Sequence, residues 1–84
     1  MKYKIDITPA AEKEYLKLPR QVQEKARIKI LALEDNPRPY GSKKLKNTDF
    51  YRLRLGDYRI VYAVYEEKKL VKILAMGHRR DVYR

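Results

Sequence analysis

Three arginines define the chemistry this chain can attempt. Arg52 and Arg54 stand at alternate positions, and Arg59 follows them across Gly56-Asp57. In an extended strand alternate side chains share a face. A Gly-Asp pair between two strand-like runs suits a two-residue hairpin turn of type II′, which takes glycine at its first central position. Leu55 then pairs with Tyr58, Arg54 with Arg59, Leu53 with Ile60, Arg52 with Val61 and Tyr51 with Tyr62. All three arginines project from one side of the predicted hairpin, and Tyr51, Leu53, Leu55, Tyr58, Ile60 and Tyr62 project from the other. Like charges directly opposite one another destabilise a sheet, so a face that sets Arg54 against Arg59 is expected to receive an anion. A merely solvated sheet face is the plainer alternative.

The last residues, Gly77-His78-Arg79-Arg80-Asp81-Val82-Tyr83-Arg84, add more cations, an imidazole and a phenol. Past Gly77 the alternation need not persist, so either Arg79 or Arg80 can join the arginine face while Asp81 tethers the other. A guanidinium is planar and permanently charged, which fits it for bidentate phosphate binding and unfits it for proton transfer. Those properties suit RNA cleavage by attack of a 2′-OH on the adjacent phosphate, in which arginines stabilise the developing charge and another group moves the protons. Tyr83 and His78 are the candidates for that second task, with Lys43, Lys44 and Lys46 more distant. A cationic neighbourhood favours phenolate, which would make Tyr83 usable as an acid or base. Plainer roles stand beside these: a partly packed aromatic for Tyr83 and a hydrogen-bonded surface residue for His78. Lys43, Lys44, Lys46, His78 and Arg80 are expected to contact RNA, with solvated charge as the competing reading for the lysines.

Composition agrees with an anionic partner. Twenty-one Lys and Arg against eleven Asp and Glu give a net charge of +10, which favours a polyanion through counterion release and steering. Residues 1–42 carry nine basic and six acidic side chains and residues 43–84 carry twelve and five, so the second half is expected to hold the anion site. A basic surface that serves only solubility is the alternative. Hydrophobic residues make up 44% of the 84, too many for a disordered chain and enough for one compact domain over residues 1–84. With no cysteine and one histidine, disulfide frameworks, thiolate metal sites and histidine metal clusters are excluded; neither metal nor cofactor is expected. No apolar run approaches the roughly 20 residues of a bilayer span, and Met1 to Thr8 lacks the apolar centre of a signal peptide. The expectation is a cytoplasmic protein with no membrane partner.

The elements that must hold these groups are legible as changes of period. Tyr3, Ile5 and Ile7 alternate with Lys2, Lys4 and Asp6, predicting a strand with one buried face. Thr8-Pro9 predicts a capped helix start, followed by the apolar stripe Ala11, Tyr15 and Leu18. Pro19 interrupts that helix and opens a second, in which Val22, Ala26, Ile30 and Leu33 recur. Asn36-Pro37, Pro39 and Gly41 end it, with Asn36 expected in a left-handed cap, and 36–42 reads as a loop within the domain. From Lys43 onward, period-two runs at 43–46, 49–55, 58–65 and 69–77 predict a mostly antiparallel meander of three or four strands. A turn within 66–69, two or four residues long, pairs Tyr65 with Leu70, Val64 with Val71, Tyr62 with Ile73 and Ile60 with Ala75. The fold class is α+β: an N-terminal strand, a two-helix hairpin, then the meander, with the helices on one sheet face.

That order, together with Tyr51-Arg52-Leu53-Arg54-Leu55, Gly56-Asp57-Tyr58-Arg59-Ile60-Val61-Tyr62 and Gly77-His78-Arg79-Arg80-Asp81-Val82-Tyr83, resembles the RelE/ParE superfamily of toxins over nearly the whole chain. The spacing from hairpin to final tyrosine resembles RelE-type toxins more than ParE-type gyrase inhibitors. The resemblance implies a microbial-RNase-like fold and cleavage of mRNA in the ribosomal A site, leaving a 2′,3′-cyclic phosphate and a 5′-hydroxyl and inhibiting translation. It also implies a cognate antitoxin, and an acidic chain would complement the +10 surface. Its site residues here would be Arg52, Arg54, Arg59, Arg79 and Tyr83. Arg52 and Arg54 stand where the best-known RelE toxins carry basic residues that are usually lysines. If a lysine there normally helps as the base, arginine serves poorly in its place, which shifts proton transfer toward Tyr83 or leaves this protein slower. The sequence runs one residue past Tyr83, so the longer C-terminal helix of some relatives is not expected. Two other functions use the same residues: gyrase inhibition through a protein contact, and nucleic-acid binding without cleavage.

Overall fold

The structure, a computed structural model, describes residues 2–78. Its elements are β1 (Lys4–Ile7), α1 (Pro9–Leu16), α2 (Arg20–Ala32), β2 (Lys43–Lys44), β3 (Phe50–Leu55), β4 (Tyr58–Tyr65) and β5 (Leu70–His78). The strands form one sheet in the order β1-β5-β4-β3-β2. β2 to β5 pair antiparallel, as the meander requires, and β1 lies parallel to β5 at the sheet's other edge.

Local chemistry builds the helical hairpin. The Ala11 N–H donates to Thr8 Oγ1 at 3.2 Å, and Pro9 takes a first-turn position where its missing donor costs nothing. From α2, the Gln23 amide donates to the carbonyls of Tyr15 (3.0 Å) and Leu16 (3.3 Å), satisfying acceptors that the end of α1 leaves open and fixing the corner at Pro19. Ala11, Leu18, Ala26, Ile30 and Leu33 then meet Leu53, Leu55, Ile60, Tyr62, Val71, Ile73 and Met76 in one core. The helices therefore cover one sheet face, as predicted.

Two local expectations are corrected. After Ala32 the chain tightens: the N–H groups of Leu33, Glu34 and Asp35 bond to the third carbonyl back, and Asn36 is not left-handed. Its side-chain oxygen instead accepts from the Arg38 N–H at 3.1 Å, a short polar side chain competing with the helix for backbone partners. Ile7, expected on the buried face, is 43% exposed. It rims an apolar groove with Leu16 and Leu31, because β1 is an edge strand whose outer border the helices leave open.

β3 and β4 pair in the predicted register from Leu55 with Tyr58 to Tyr51 with Tyr62. Gly56 has φ +62°, and Asp57 is not left-handed, the pattern of a type II′ turn. The next turn takes four residues, with Lys69 at φ 50° and its N–H bonded to the Glu66 carbonyl at 3.2 Å. β4 and β5 follow the expected pairing as far as Tyr62 with Ile73. There a bulge intervenes: Val61 pairs with Ala75 and Ile60 with Met76, not with Ala75, so Leu74 is the extra residue. A bulge exchanges the faces of the strand beyond it. Met76 consequently turns into the core, and Gly77 sits opposite Arg59. Glu14 of α1 holds this arrangement, its Oε1 accepting from the Met76 N–H at 2.8 Å. β1 pairs with β5 only as far as Ile73, so β5 needs another partner there.

A polar clasp closes the far end. Tyr62 OH donates to the Pro37 carbonyl at 2.8 Å, Arg38 Nε donates to Tyr51 OH at 2.9 Å, and Arg38 also pairs with Glu66. Tyr3 OH donates to Glu66 Oε1 at 2.6 Å. The hydrogen bond from Tyr3, with that from Arg38, holds the Glu66 carboxyl below the usual carboxylate range, and burial pushes the Tyr62 phenol up.

Candidate nucleic-acid interface

Strand alternation gives the face opposite the helices a row structure. Arg54, Arg59 and Gly77 form one row and Lys43, Arg52, Val61 and Ala75 the next. Phe50, Ala63, Lys72 and Asp6 follow, then Tyr65, Leu70 and Lys4. Cations from every strand therefore share this side, with Asp6 the carboxylate in these rows. The centre of this face is little exposed. Arg59 is 8% exposed, and Val61 and Ala63 beside it are buried although they lie outside the helix-side core.

Arg52 Nε is buried with no hydrogen-bond partner among the described residues. Neither Arg52 nor Arg54 has an ion-pair partner among them. A buried charged donor left unsatisfied is strongly unfavourable, and an anionic oxygen relieves that. Directly opposed residues on antiparallel strands hold their Cβ atoms about 4.5–5.5 Å apart, so Arg54 and Arg59 can grip one phosphate. Guanidinium groups so placed can stabilise the charge of a pentacoordinate phosphorane. They cannot move its protons.

The structure brings Arg52, Arg54 and Arg59 to one side of the sheet, as the register predicted, and sets Lys43, expected to be more distant, in the row of Arg52. Lys44 pairs with Tyr51 and so belongs to the helix-covered side. Lys46 stands in the exposed turn after β2, beside Asn47 at φ 60°, off the strand face. His78, whose direction the sequence left open, turns from the arginines. Beyond the bulge it pairs with Tyr58 and meets that ring edge-on, centroids 5.5 Å apart at 77°, on the side away from the arginines. Arg79, Arg80 and Tyr83 lie outside the described residues. Sequence reasoning missed Lys72 and Lys4 as members of the cationic face. The signal for Lys72 was its place between Val71 and Ile73, which both point into the core. Among the described residues no cluster of three His, Asp or Glu could hold a metal ion.

Residues 5–83 match the family described as ParE toxin of type II toxin-antitoxin system, parDE. The mRNA interferase toxin RelE of Escherichia coli is 33% identical over 87 residues, covering 99% of this chain and 92% of that protein. The putative toxin RelE1 of Methanocaldococcus jannaschii is 30% identical over 88 residues, covering 100% and 98%. In three dimensions the chain matches the archaeal RelE-RelB complex from Pyrococcus horikoshii with a TM-score of 0.85 at 33% identity, over 96% of this chain and 99% of that one. The intact E. coli RelBE toxin-antitoxin complex matches with a TM-score of 0.80 at 32% identity, over 90% and 95%.

Proposed function

Because the chain belongs to the RelE/ParE superfamily of toxins, we propose that it is the toxin of a type II toxin-antitoxin system, an endoribonuclease that cuts mRNA in the ribosomal A site and so stops translation. The observation that carries this reading is the convergence of Arg52, Arg54 and Arg59 across one hairpin, with neither Arg52 nor Arg54 ion-paired to a described residue. The substrate's 2′-OH gives up its proton as its oxygen bonds to phosphorus, the bond to the 5′-oxygen breaks, and that oxygen takes up a proton in exchange. The products are a 2′,3′-cyclic phosphate and a 5′-hydroxyl. Arg52, Arg54, Arg59 and Arg79 hold the phosphate and offset the phosphorane charge, and Tyr83 carries the proton that arginine cannot. Lys43 and Lys72 bind the RNA backbone on the same face.

The chain acts as a single domain in the cytoplasm, where ribosomes and mRNA are. No helix among the described residues is long and apolar enough to cross a membrane. An acidic antitoxin complements the net charge of +10 and neutralises the toxin by complex formation; the similar RelE chains of E. coli and P. horikoshii occur in complexes with RelB.

The match to the ParE family favours a second reading, inhibition of DNA gyrase through a protein contact. Purified protein added to programmed ribosomes with an empty A site separates the two, with naked mRNA as control and gyrase supercoiling measured in parallel. The expected result is cuts within the A-site codon, intact naked mRNA and normal supercoiling. Arrested supercoiling with uncut mRNA would replace this reading with the second.

A further inference from the structure

The cationic face continues past the arginines to two aromatic rings. Phe50 lies on the same strand and side as Arg52 and Arg54, opposite Ala63, and Tyr65 stands two residues beyond Ala63 on β4. Such diagonal neighbours are about 7–8 Å apart. Phe50 is 39% exposed and Tyr65 41%, whereas Ala63 between them is 1% exposed. Two large rings therefore flank a small, sunken residue.

Tyr3, Tyr51, Tyr58 and Tyr62 have work within the fold, and Tyr40, fully exposed, stands in the loop before β2, outside these rows. Tyr51 stacks on Tyr62 with centroids 5.7 Å apart, Tyr3 and Tyr62 donate hydrogen bonds, and Tyr58 meets His78. Among the described residues, neither the Phe50 ring nor the Tyr65 ring or hydroxyl has a ring, cation-π or hydrogen-bond partner. Apart from Asp6 in the row of Phe50, the charged residues of the adjoining rows are cationic. Lys72 pairs with Ala63, Lys4 shares the row of Tyr65, and Arg52 and Lys43 begin the next row toward the hairpin.

Cations tracking phosphates beside exposed aromatic faces are how single-stranded nucleic acid is held without duplex structure, because every base has a face that can stack. A duplex keeps its bases stacked on one another and cannot use such rings. The surrounding positive charge complements a polyanion better than the apolar surface of a protein. We propose that Phe50 and Tyr65 form a base-stacking shelf for single-stranded RNA, gripping nucleotides that adjoin the phosphate held by the arginines. This rests on the reading of the arginine face as an RNA site.

The chain contains no tryptophan, so Phe50→Trp and Tyr65→Trp each install a single fluorescent reporter. The probe is a short single-stranded oligoribonucleotide carrying 2′-O-methyl groups throughout, which offers no 2′-OH and stays whole. Saturable quenching of either reporter is expected. Phe50→Ala and Tyr65→Ala should weaken binding of the end-labelled probe roughly 5- to 150-fold. The slope of affinity against salt should not change, because the phosphate contacts remain, and Tyr65→Phe should bind like the parent. Reporters left unquenched while the probe still binds would overturn the shelf, as would alanine variants of parental affinity. Alanine variants that keep RNA affinity but lose antitoxin affinity would also overturn it, assigning the rings to a protein interface. Since the probe cannot be cut, quenching without ribosomal cleavage would retain the shelf and remove the nuclease reading, and cleavage without quenching would do the reverse.

Discussion

In the proposed site, arginine at positions 52, 54 and 59 would divide the chemistry between groups, since a guanidinium stabilises charge and leaves proton transfer to another side chain. Arg59 is the most enclosed of the three, so its charge acts where water screens it least. Arg59→Ala is expected to lower A-site cleavage about 10²- to 10³-fold, the loss seen when one donor to a developing oxyanion is removed. Arg59→Lys should restore only part of it, because an ammonium cannot hold phosphate bidentately. Single-turnover cleavage by both variants, with thermal melts to establish that each folds, checks this; a fully active alanine variant would sink the assignment. The trio was legible in the sequence because a two-residue turn fixes register, and register fixes faces. His78 was not legible, because its face depends on how many residues β5 spends opposite β4, and no residue type announces the extra one at Leu74.

The bulge in β5 is the element-scale feature that matters most to the site, and it depends on a helix. Glu14 supplies the acceptor for Met76 N–H where β1 has ended. Glu14→Ala leaves that donor without its acceptor, an expected loss of about 1–3 kcal/mol in urea unfolding. Glu14→Gln keeps a side-chain oxygen in place and should lose much less. Equal losses in the two variants would show that charge, not the acceptor, matters there. The turn at 66–69 was placed with its length left open between two and four residues, and both helices and the hairpin were readable from caps, proline and periodicity, all of which are local. The parallel placement of β1 beside β5 and the hydrogen bond from Glu14 to β5 were not, because they join residues far apart in sequence, which local periodicity cannot pair.

At the scale of the whole molecule, one end of the sheet is fastened by carboxylate chemistry and the other face is left to cations. Glu66 accepts from Tyr3 and pairs with Arg38, and both hold its pKa below the ordinary 4.5. A depressed folded-state pKa contributes stability above the unfolded value that is lost as pH falls through the folded one. The difference in Tm between the parent and Glu66→Gln should therefore be present at neutral pH and shrink as pH falls below 4.5. A difference that does not vary with pH would show that the carboxylate charge plays no part in the clasp. With Glu66 engaged at that clasp, the molecule presents Lys43, Arg52, Arg54, Arg59 and Lys72 on one face where Asp6 is the carboxylate in the rows, and in the proposed reaction this face cuts RNA through the substrate's own 2′-OH. The most direct test programs ribosomes with A-site codons of ordinary ribose or of 2′-O-methyl ribose and maps the mRNA ends left by the protein. Cuts ending in a 2′,3′-cyclic phosphate are expected on the ribose codon and none on the methylated one; equal cutting of both codons would rule out attack by the 2′-OH.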